Sequence, residues 1–256
     1  MIEIRSVTAP NPGPFTLDGT RSWIVGEDTI IDPGPRIVSH IEALVAECPS
    51  LQRILVTHRH GDHAPAALPL RESTGAGIFA PDGVFPETAV NVLRDGDRIP
   101  IGGGSIDVIA TPGHTMEHVC FLTDDGSLFT GDTILGHGTT VILPPDGDME
   151  AYLASLQRLL DLNPARIYPG HGPVREDATK LIRDYIDHRR LREIQILKAL
   201  ESGPKTVEEL RAAIYDQIDP ALHVAAEMQI VAQIAPLEKH RRVRLHAGRY
   251  QLGDRS

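Results

Sequence analysis

Nine consecutive residues constrain this chain more than any other stretch: Leu55-Val56-Thr57-His58-Arg59-His60-Gly61-Asp62-His63. The apolar run Ile54-Leu55-Val56 reads as a buried strand, so the polar set begins where a strand ends and a loop opens. His58 and His60 stand two apart, and an extended loop aims both imidazoles to one side. Asp62 and His63 are adjacent and can turn toward a neighbouring point. Imidazole and carboxylate together suit zinc and harder divalent ions. A solvated His-rich loop is the bland alternative. The position of the set directly after an apolar strand argues against it.

Three later segments repeat the arrangement. Thr111-Pro112-Gly113-His114 follows Val108-Ile109-Ala110, Gly131-Asp132-Thr133 follows a short apolar run, and Tyr168-Pro169-Gly170-His171 follows a third. Each places a His or Asp just past a strand, beside a glycine that lets the backbone turn sharply. The four segments supply seven candidate ligands: His58, His60, Asp62, His63, His114, Asp132 and His171. Two metal ions sharing one bridging carboxylate and a water need about that many.

These motifs resemble the metallo-β-lactamase-fold hydrolases, whose signature is matched by His58-x-His60-x-Asp62-His63. The resemblance extends to the beta-lactamase-like protein 2 subfamily through Asn11-Pro12-Gly13-Pro14-Phe15-Thr16-Leu17 and through the run Gly131-Asp132-Thr133-Ile134-Leu135-Gly136-His137-Gly138-Thr139-Thr140. Tyr168-Pro169-Gly170-His171-Gly172-Pro173-Val174 and His188-Arg189-x-x-Arg192-Glu193 also fit. The resemblance implies a four-layer αββα sandwich of the α/β (α+β) class. It implies His58, His60 and His114 on a first divalent ion, and Asp62, His63 and His171 on a second. Asp132 would bridge them, with Asp62 and Asp132 as the catalytic carboxylates. Zinc is the expected metal, with iron or manganese as alternatives. Arg21 and Trp23 stand where the subfamily leads one to expect Asn and Tyr, and His137 replaces an acidic residue. On this reading all three lie near the pocket and bear on substrate choice.

The rest of the chain fits a layered α/β domain over residues 1–175 and a helical domain over 176–256. A hairpin is expected around Glu27-Asp28, with Asp32 just past its second strand as a partner for a ligand histidine or a turn cap. Helices are expected at 37–47, at 64–71 and, behind an Asp148 cap, at 149–162. His118 reads as a structural or supporting residue because the following residues form a strand. Residues 177–200, 206–215 and 222–234 read as three further helices, the second opened by the capping-box pattern Thr206-x-x-Glu209. A hairpin about Ala247-Gly248 closes an order characteristic of a winged helix, which serves either nucleic-acid contact or packing, including a homodimer.

Net charge is −10, and it is uneven: residues 180–256 contribute +3 and residues 1–179 contribute −13. That balance argues against a broad nucleic-acid footprint on the larger part. Two cysteines, Cys48 and Cys120, are too few for a disulfide scaffold and fit a reducing, cytoplasmic setting. No signal-peptide pattern or membrane-spanning run is visible.

Function is expected to be hydrolysis by a metal-activated water shared between two ions. Phosphodiester cleavage, with single-stranded RNA as substrate in an endoribonuclease-like reaction, is the first expectation. A small ester or thioester is the second, as in glyoxalase II, or a lactone. Lactam turnover should be weak, because true β-lactamases generally lack a bridging residue such as Asp132. A metal-binding winged-helix regulator without turnover is the third.

Overall fold

In the computed structural model, which describes residues 2–253, two mixed sheets lie face to face. The first sheet holds β1 (Ile4–Thr8), β2 (Arg21–Val25), β3 (Thr29–Ile31), β4 (Arg53–Leu55), β5 (Gly77–Pro81) and β6 (Asn91–Leu93), in that spatial order. β1, β2 and β3 pair antiparallel, and β3 through β6 pair parallel. A parallel step needs a crossover. The first two are made by α1 (Val38–Glu47) and α2 (Ala67–Thr74). α2 starts three residues later than the sequence pattern predicts. Pro69 is tolerated in its first turn, where the missing N–H has no helical partner anyway.

The second sheet holds β7 (Arg98–Ile101), β8 (Gly104–Ala110), β9 (Val119–Thr123), β10 (Ser127–Gly131) and β11 (Arg166–Pro169), in the spatial order β11-β10-β9-β8-β7. The turn at Asp95-Gly96-Asp97 carries the chain from one sheet to the other. α3 (Met149–Asp161) makes the crossover between the parallel neighbours β10 and β11, and Asp148 caps it by accepting from the Ala151 N–H at 2.8 Å.

Burial follows the layers. Trp23, Val25, Ile31 and Leu55 of the first sheet meet Ile106, Val108, Phe121 and Phe129 of the second. The outer face of the first sheet packs on α1 and α2 through Ile24, Ile30, Ile54, Leu44 and Leu70. The outer face of the second packs on α3 and on the first half of α4 (Ala178–Leu200), through Ile109, Leu128, Ile167, Leu156, Ile182 and Tyr185. At about 1.5–3 kcal/mol for each large apolar side chain, these three interfaces hold the helix–sheet–sheet–helix stack.

The second half of α4 leaves that stack and enters a separate core. There Ile196 and Leu200 pack with α5 (Val207–Ile214), α6 (His223–Lys239), β12 (Val243–His246) and β13 (Arg249–Leu252). The capping box at Thr206 and Glu209 forms with both bonds. α6 runs past residue 234 despite Pro236, because Leu237 is buried in this core and keeps the last turn docked. No helix among the described residues is long and apolar enough to cross a membrane.

Candidate metal centre

β3, β4, β8, β10 and β11 all end at one edge of the stack, because β8 and β10 share a direction through their antiparallel neighbour β9. Each ends just before a polar residue of interest. His58, His60, Asp62 and His63 follow β4, His114 follows β8, Asp132 follows β10 and His171 follows β11. The structure therefore brings all seven candidates together. They form two groups, His58, His60, His114 and Asp132, and Asp62, His63, His171 and Asp132, with the donor atoms of each group within 4.8 Å of one another.

In the first group His60 Nδ1 lies 3.0 Å from both His58 Nε2 and His114 Nε2. Asp132 Oδ2 is 3.6 Å from His114 Nε2 and 4.0 Å from His58 Nε2. In the second, His63 Nε2 and His171 Nε2 each stand 3.3 Å from Asp132 Oδ1. Asp62 Oδ2 is 3.5 and 3.2 Å from the same two nitrogens. The two oxygens of Asp132 thus face different groups.

The outer nitrogens decide the chemistry of the inner ones. His63 Nδ1 donates to Asp32 Oδ2 at 2.8 Å, His114 Nδ1 to the Val141 carbonyl at 2.9 Å, and His171 Nδ1 to the Gly19 carbonyl at 3.2 Å. Thr57 Oγ1 donates to Asp32 Oδ2 at 2.8 Å and so accepts from His58 Nδ1 at 2.9 Å. With those protons placed outside, four Nε2 lone pairs point inward. They meet two carboxylates, and Asp132 Oδ1 is buried with no hydrogen-bond donor. Such a set repels itself unless cations lie between its members. Ions with bonds of about 2.0–2.1 Å hold tetrahedral ligands about 3.3 Å apart, close to most of the separations seen here. The residues fit two divalent ions.

Electrostatics divides the two groups. Burial, with His63 and His118 beside it, holds His58 well below the usual imidazole range, and burial and His114 lower His60. Both are thereby favoured as neutral imidazoles, the form able to bind a metal ion. In the second group burial opposes charge on His171, but Asp132 and Asp62 outweigh it and raise the ring to about 9. Burial likewise opposes ionisation of Asp132, yet His63 and His171 hold it well below the carboxylate range. The second position therefore attracts positive charge most strongly.

Several supporting residues surround the groups. Asp32 is a histidine partner, as one of the two sequence readings has it, and it also accepts the Thr57 N–H at 2.8 Å. His118 stays outside both groups. It stacks on His58 with centroids 4.8 Å apart and accepts the Asp132 N–H at 3.3 Å. Thr57, Thr20, Gly19 and Val141 carry no sequence signal of their role, because they act through a carbonyl or a hydroxyl that only tertiary contact aims. Trp23 corrects an expectation. It is no pocket wall but part of the inter-sheet core, edge-on to Phe129 and Tyr168, with its Nε1 donating to the Pro169 carbonyl just before His171. Arg21 pairs with Asp18 at 2.8 Å.

Gly131 is confined by the same supports. Its φ is +46°, and a Cβ there would lie 2.5 Å from Thr57 Oγ1 and 2.8 Å from His118 Nε2. Gly131→Ala is expected to destabilise the fold by about 2–4 kcal/mol and to weaken metal retention. Denaturant melts and metal analysis check this. Wild-type values in both would show that the two supports yield freely.

A cavity of about 250 Å³ opens beside the groups, lined by Phe15, Val141, Leu143 and Asp146 together with His60, Asp62, His114 and Asp132. A second lobe of about 160 Å³ continues from Phe15 and Val141 to Leu17, Leu135, His137 and Thr139.

The metallo-beta-lactamase superfamily model matches residues 16–171, the span that carries every one of these ligands. The chain belongs to that superfamily. It is 34% identical over 242 residues to the beta-lactamase-like protein 2 homolog of Caenorhabditis elegans, covering 87% of this chain and 80% of that protein. It is also 34% identical to an atrochrysone carboxyl ACP thioesterase of Aspergillus chevalieri, covering 83% of this chain and 73% of the relative. Among solved structures, a beta-lactamase domain protein from Burkholderia ambifaria superposes with a TM-score of 0.87 at 21% identity, over 98% of this chain and 91% of that one. That likeness concerns the fold, and it includes the C-terminal helices. With superfamily membership comes the class of activity: the protein is a hydrolase with His and Asp groups able to bind metal ions.

Proposed function

We propose that this hydrolase holds two divalent ions, zinc foremost, with iron or manganese suited to the same nitrogen and oxygen donors, and that it cleaves an activated acyl compound, first of all a thioester. The observation that carries this reading is the lining of the pocket. Phe15, Val141 and Leu143 offer apolar surface, Asp146 adds negative charge, and among the described residues no Lys or Arg lines either lobe. A polyanionic RNA needs cations along its backbone. Arg59, within the motif, is engaged by Glu117 and Asp146. At the base of the C-terminal hairpin, Lys239 pairs with Glu150 and Arg242 with Glu193. The helix-and-hairpin unit accordingly reads as a winged-helix-like packing module. The preference thus moves from phosphodiesters to acyl substrates.

Ions held by His58, His60 and His114 and by Asp62, His63 and His171, with Asp132 shared, would supply Lewis acidity and make a nearby water more acidic. The chain does the rest. Asp62, at the cavity wall, orients the attacking water and accepts its proton, and the Thr20 hydroxyl holds it by donating to Oδ2 at 3.5 Å. Phe15 and Val141 seat the acyl chain and exclude water. A thiol, with a pKa of about 8.5, departs as thiolate without a strong general acid. That suits a pocket in which, among the described lining residues, the imidazole outside the ligand groups is His137 on the outer lobe.

The test is turnover of purified, metal-loaded protein on a panel of acyl thioesters beside single-stranded RNA, each over a range of salt. Chelator-sensitive thioester hydrolysis with little salt dependence is expected. Efficient RNA cleavage with a steep salt slope, and no thioester turnover, would overturn the reading and return the phosphodiester assignment.

A further inference from the structure

The motif His188-Arg189-x-x-Arg192-Glu193 lies on α4, outside the metal groups and the pocket lining. Its members do different things. Arg192 stacks on Tyr215, 4.3 Å from the ring centroid, and donates to the Ile214 carbonyl. Glu193 pairs with Arg242 of the hairpin. Both tie the C-terminal unit to itself. Arg189 points the other way, into the catalytic layer.

Arg189 is 1% exposed and pairs with no carboxylate among the described residues. Its guanidinium lies 5.3 Å from the Tyr152 ring centroid, and its Nη2 donates to the Thr140 carbonyl. Burying a cation without a counter-ion is costly, and an apolar side chain of similar size would pack this position at less cost. The feature that distinguishes Arg189 from such a residue is the bond to Thr140. Two residues along the chain, the Ile142 N–H donates to Gln229 Oε1 of α6 at 3.1 Å. Between these two anchors, the Val141 carbonyl accepts from His114 Nδ1 at 2.9 Å. Residues 140–142 belong to no helix or strand, so tertiary contacts set where that carbonyl sits: these bonds together with the burial of Ile142 in the core. The same Thr140 reaches the bridging segment, its hydroxyl donating to the Asp132 carbonyl at 2.8 Å.

We propose that the C-terminal helices set the first metal position through a two-point clamp, Arg189 on the Thr140 carbonyl and Gln229 on the Ile142 N–H, which together aim the Val141 carbonyl at His114. Arg189 and Gln229 are positioning residues: they touch neither ion nor substrate. The clamp makes the C-terminal unit part of the metal centre. It rests on the binuclear reading above but on no choice of substrate.

The test measures metal affinity of the full-length protein rather than turnover. Zinc competition against a chromophoric chelator, with cobalt spectra reporting the ligand field, is run on wild type, Arg189→Met, Gln229→Leu, Arg189→Lys and Arg192→Met. In Arg189→Met and in Gln229→Leu one of the two ions is expected to bind about 10- to 100-fold more weakly, with an altered cobalt spectrum, while the other ion is held as before. Arg189→Lys, which keeps a donor, should recover part of the affinity. Arg192→Met removes a large cation from the same helix without touching residues 140–142. It should lower the melting temperature yet leave both affinities unchanged. If Arg189→Met does not fold, Gln229→Leu carries the test. The clamp is overturned by folded Arg189→Met or Gln229→Leu protein with wild-type affinity for both ions, or by equal metal loss in Arg192→Met. A wild type that binds fewer than two ions would instead sink the binuclear reading, a result separate from any variant.

Discussion

Asp132→Ala is expected to lower turnover by about three orders of magnitude or more while the chain stays folded. Among the described residues Asp132 is the one shared by both donor groups, one oxygen toward each. Without it the first group keeps three imidazoles and the second keeps Asp62 and two imidazoles, and nothing holds the two at a defined separation. On the binuclear proposal, metal analysis should find two ions on the wild type and one tightly held ion on the variant. The fold should survive, because its four cores are built from other side chains and Asp132 contributes to none. Circular dichroism and a thermal melt establish that. Near-full turnover in folded Asp132→Ala protein would remove this carboxylate from the reaction.

The second large effect lies one step away from the ligand groups. Asp32 is 2% exposed and accepts from the Thr57 N–H, the Thr57 hydroxyl and His63 Nδ1. Through Thr57 it reaches His58 and through His63 the second group, so one buried carboxylate orients a histidine in each. Asp32→Ala leaves three buried donors without an acceptor. The expected loss is about 3–5 kcal/mol of stability and about 10- to 100-fold in metal affinity. Asp32 also sits at φ +50°, a conformation Asp adopts only at some strain and Gly adopts freely. Asp32→Gly should therefore be about 1 kcal/mol more stable than Asp32→Ala and equally poor at holding metal. Asp32→Asn keeps the backbone conformation but turns an NH2 toward groups that themselves donate, so it should recover little. Denaturant melts and zinc competition on the three variants separate strain from hydrogen bonding. An Asn variant equal to wild type in both would show that the carboxylate charge has no part in the site.

Much of this protein is legible from residue order alone, for a physical reason. Metal ligation needs particular atoms, and a strand end followed by glycine or by a second ligand is a short-range pattern. His58, His60, Asp62 and His63 announce themselves within one loop, and His114, Asp132 and His171 do so by repeating the same strand-then-turn grammar. The layered α/β class follows from the alternation of short apolar runs with helical spacing, and the Asp148 and Thr206 caps follow from local hydrogen-bond chemistry. What the sequence does not contain is direction. That β3, β4, β8, β10 and β11 end at one edge depends on strand pairing between distant segments. That Asp132 turns one oxygen to each group depends on where those edges meet. Trp23 reads as a pocket residue until the second sheet closes over it. The Gly19 and Val141 carbonyls have no signature, since every residue has a carbonyl and only tertiary structure aims one at a histidine. Arg189 is visible in the sequence as part of a motif. Its meaning comes from burial against Thr140, 49 positions upstream and adjacent only in the folded chain. Residue chemistry determined which groups can act. Packing decided what they face.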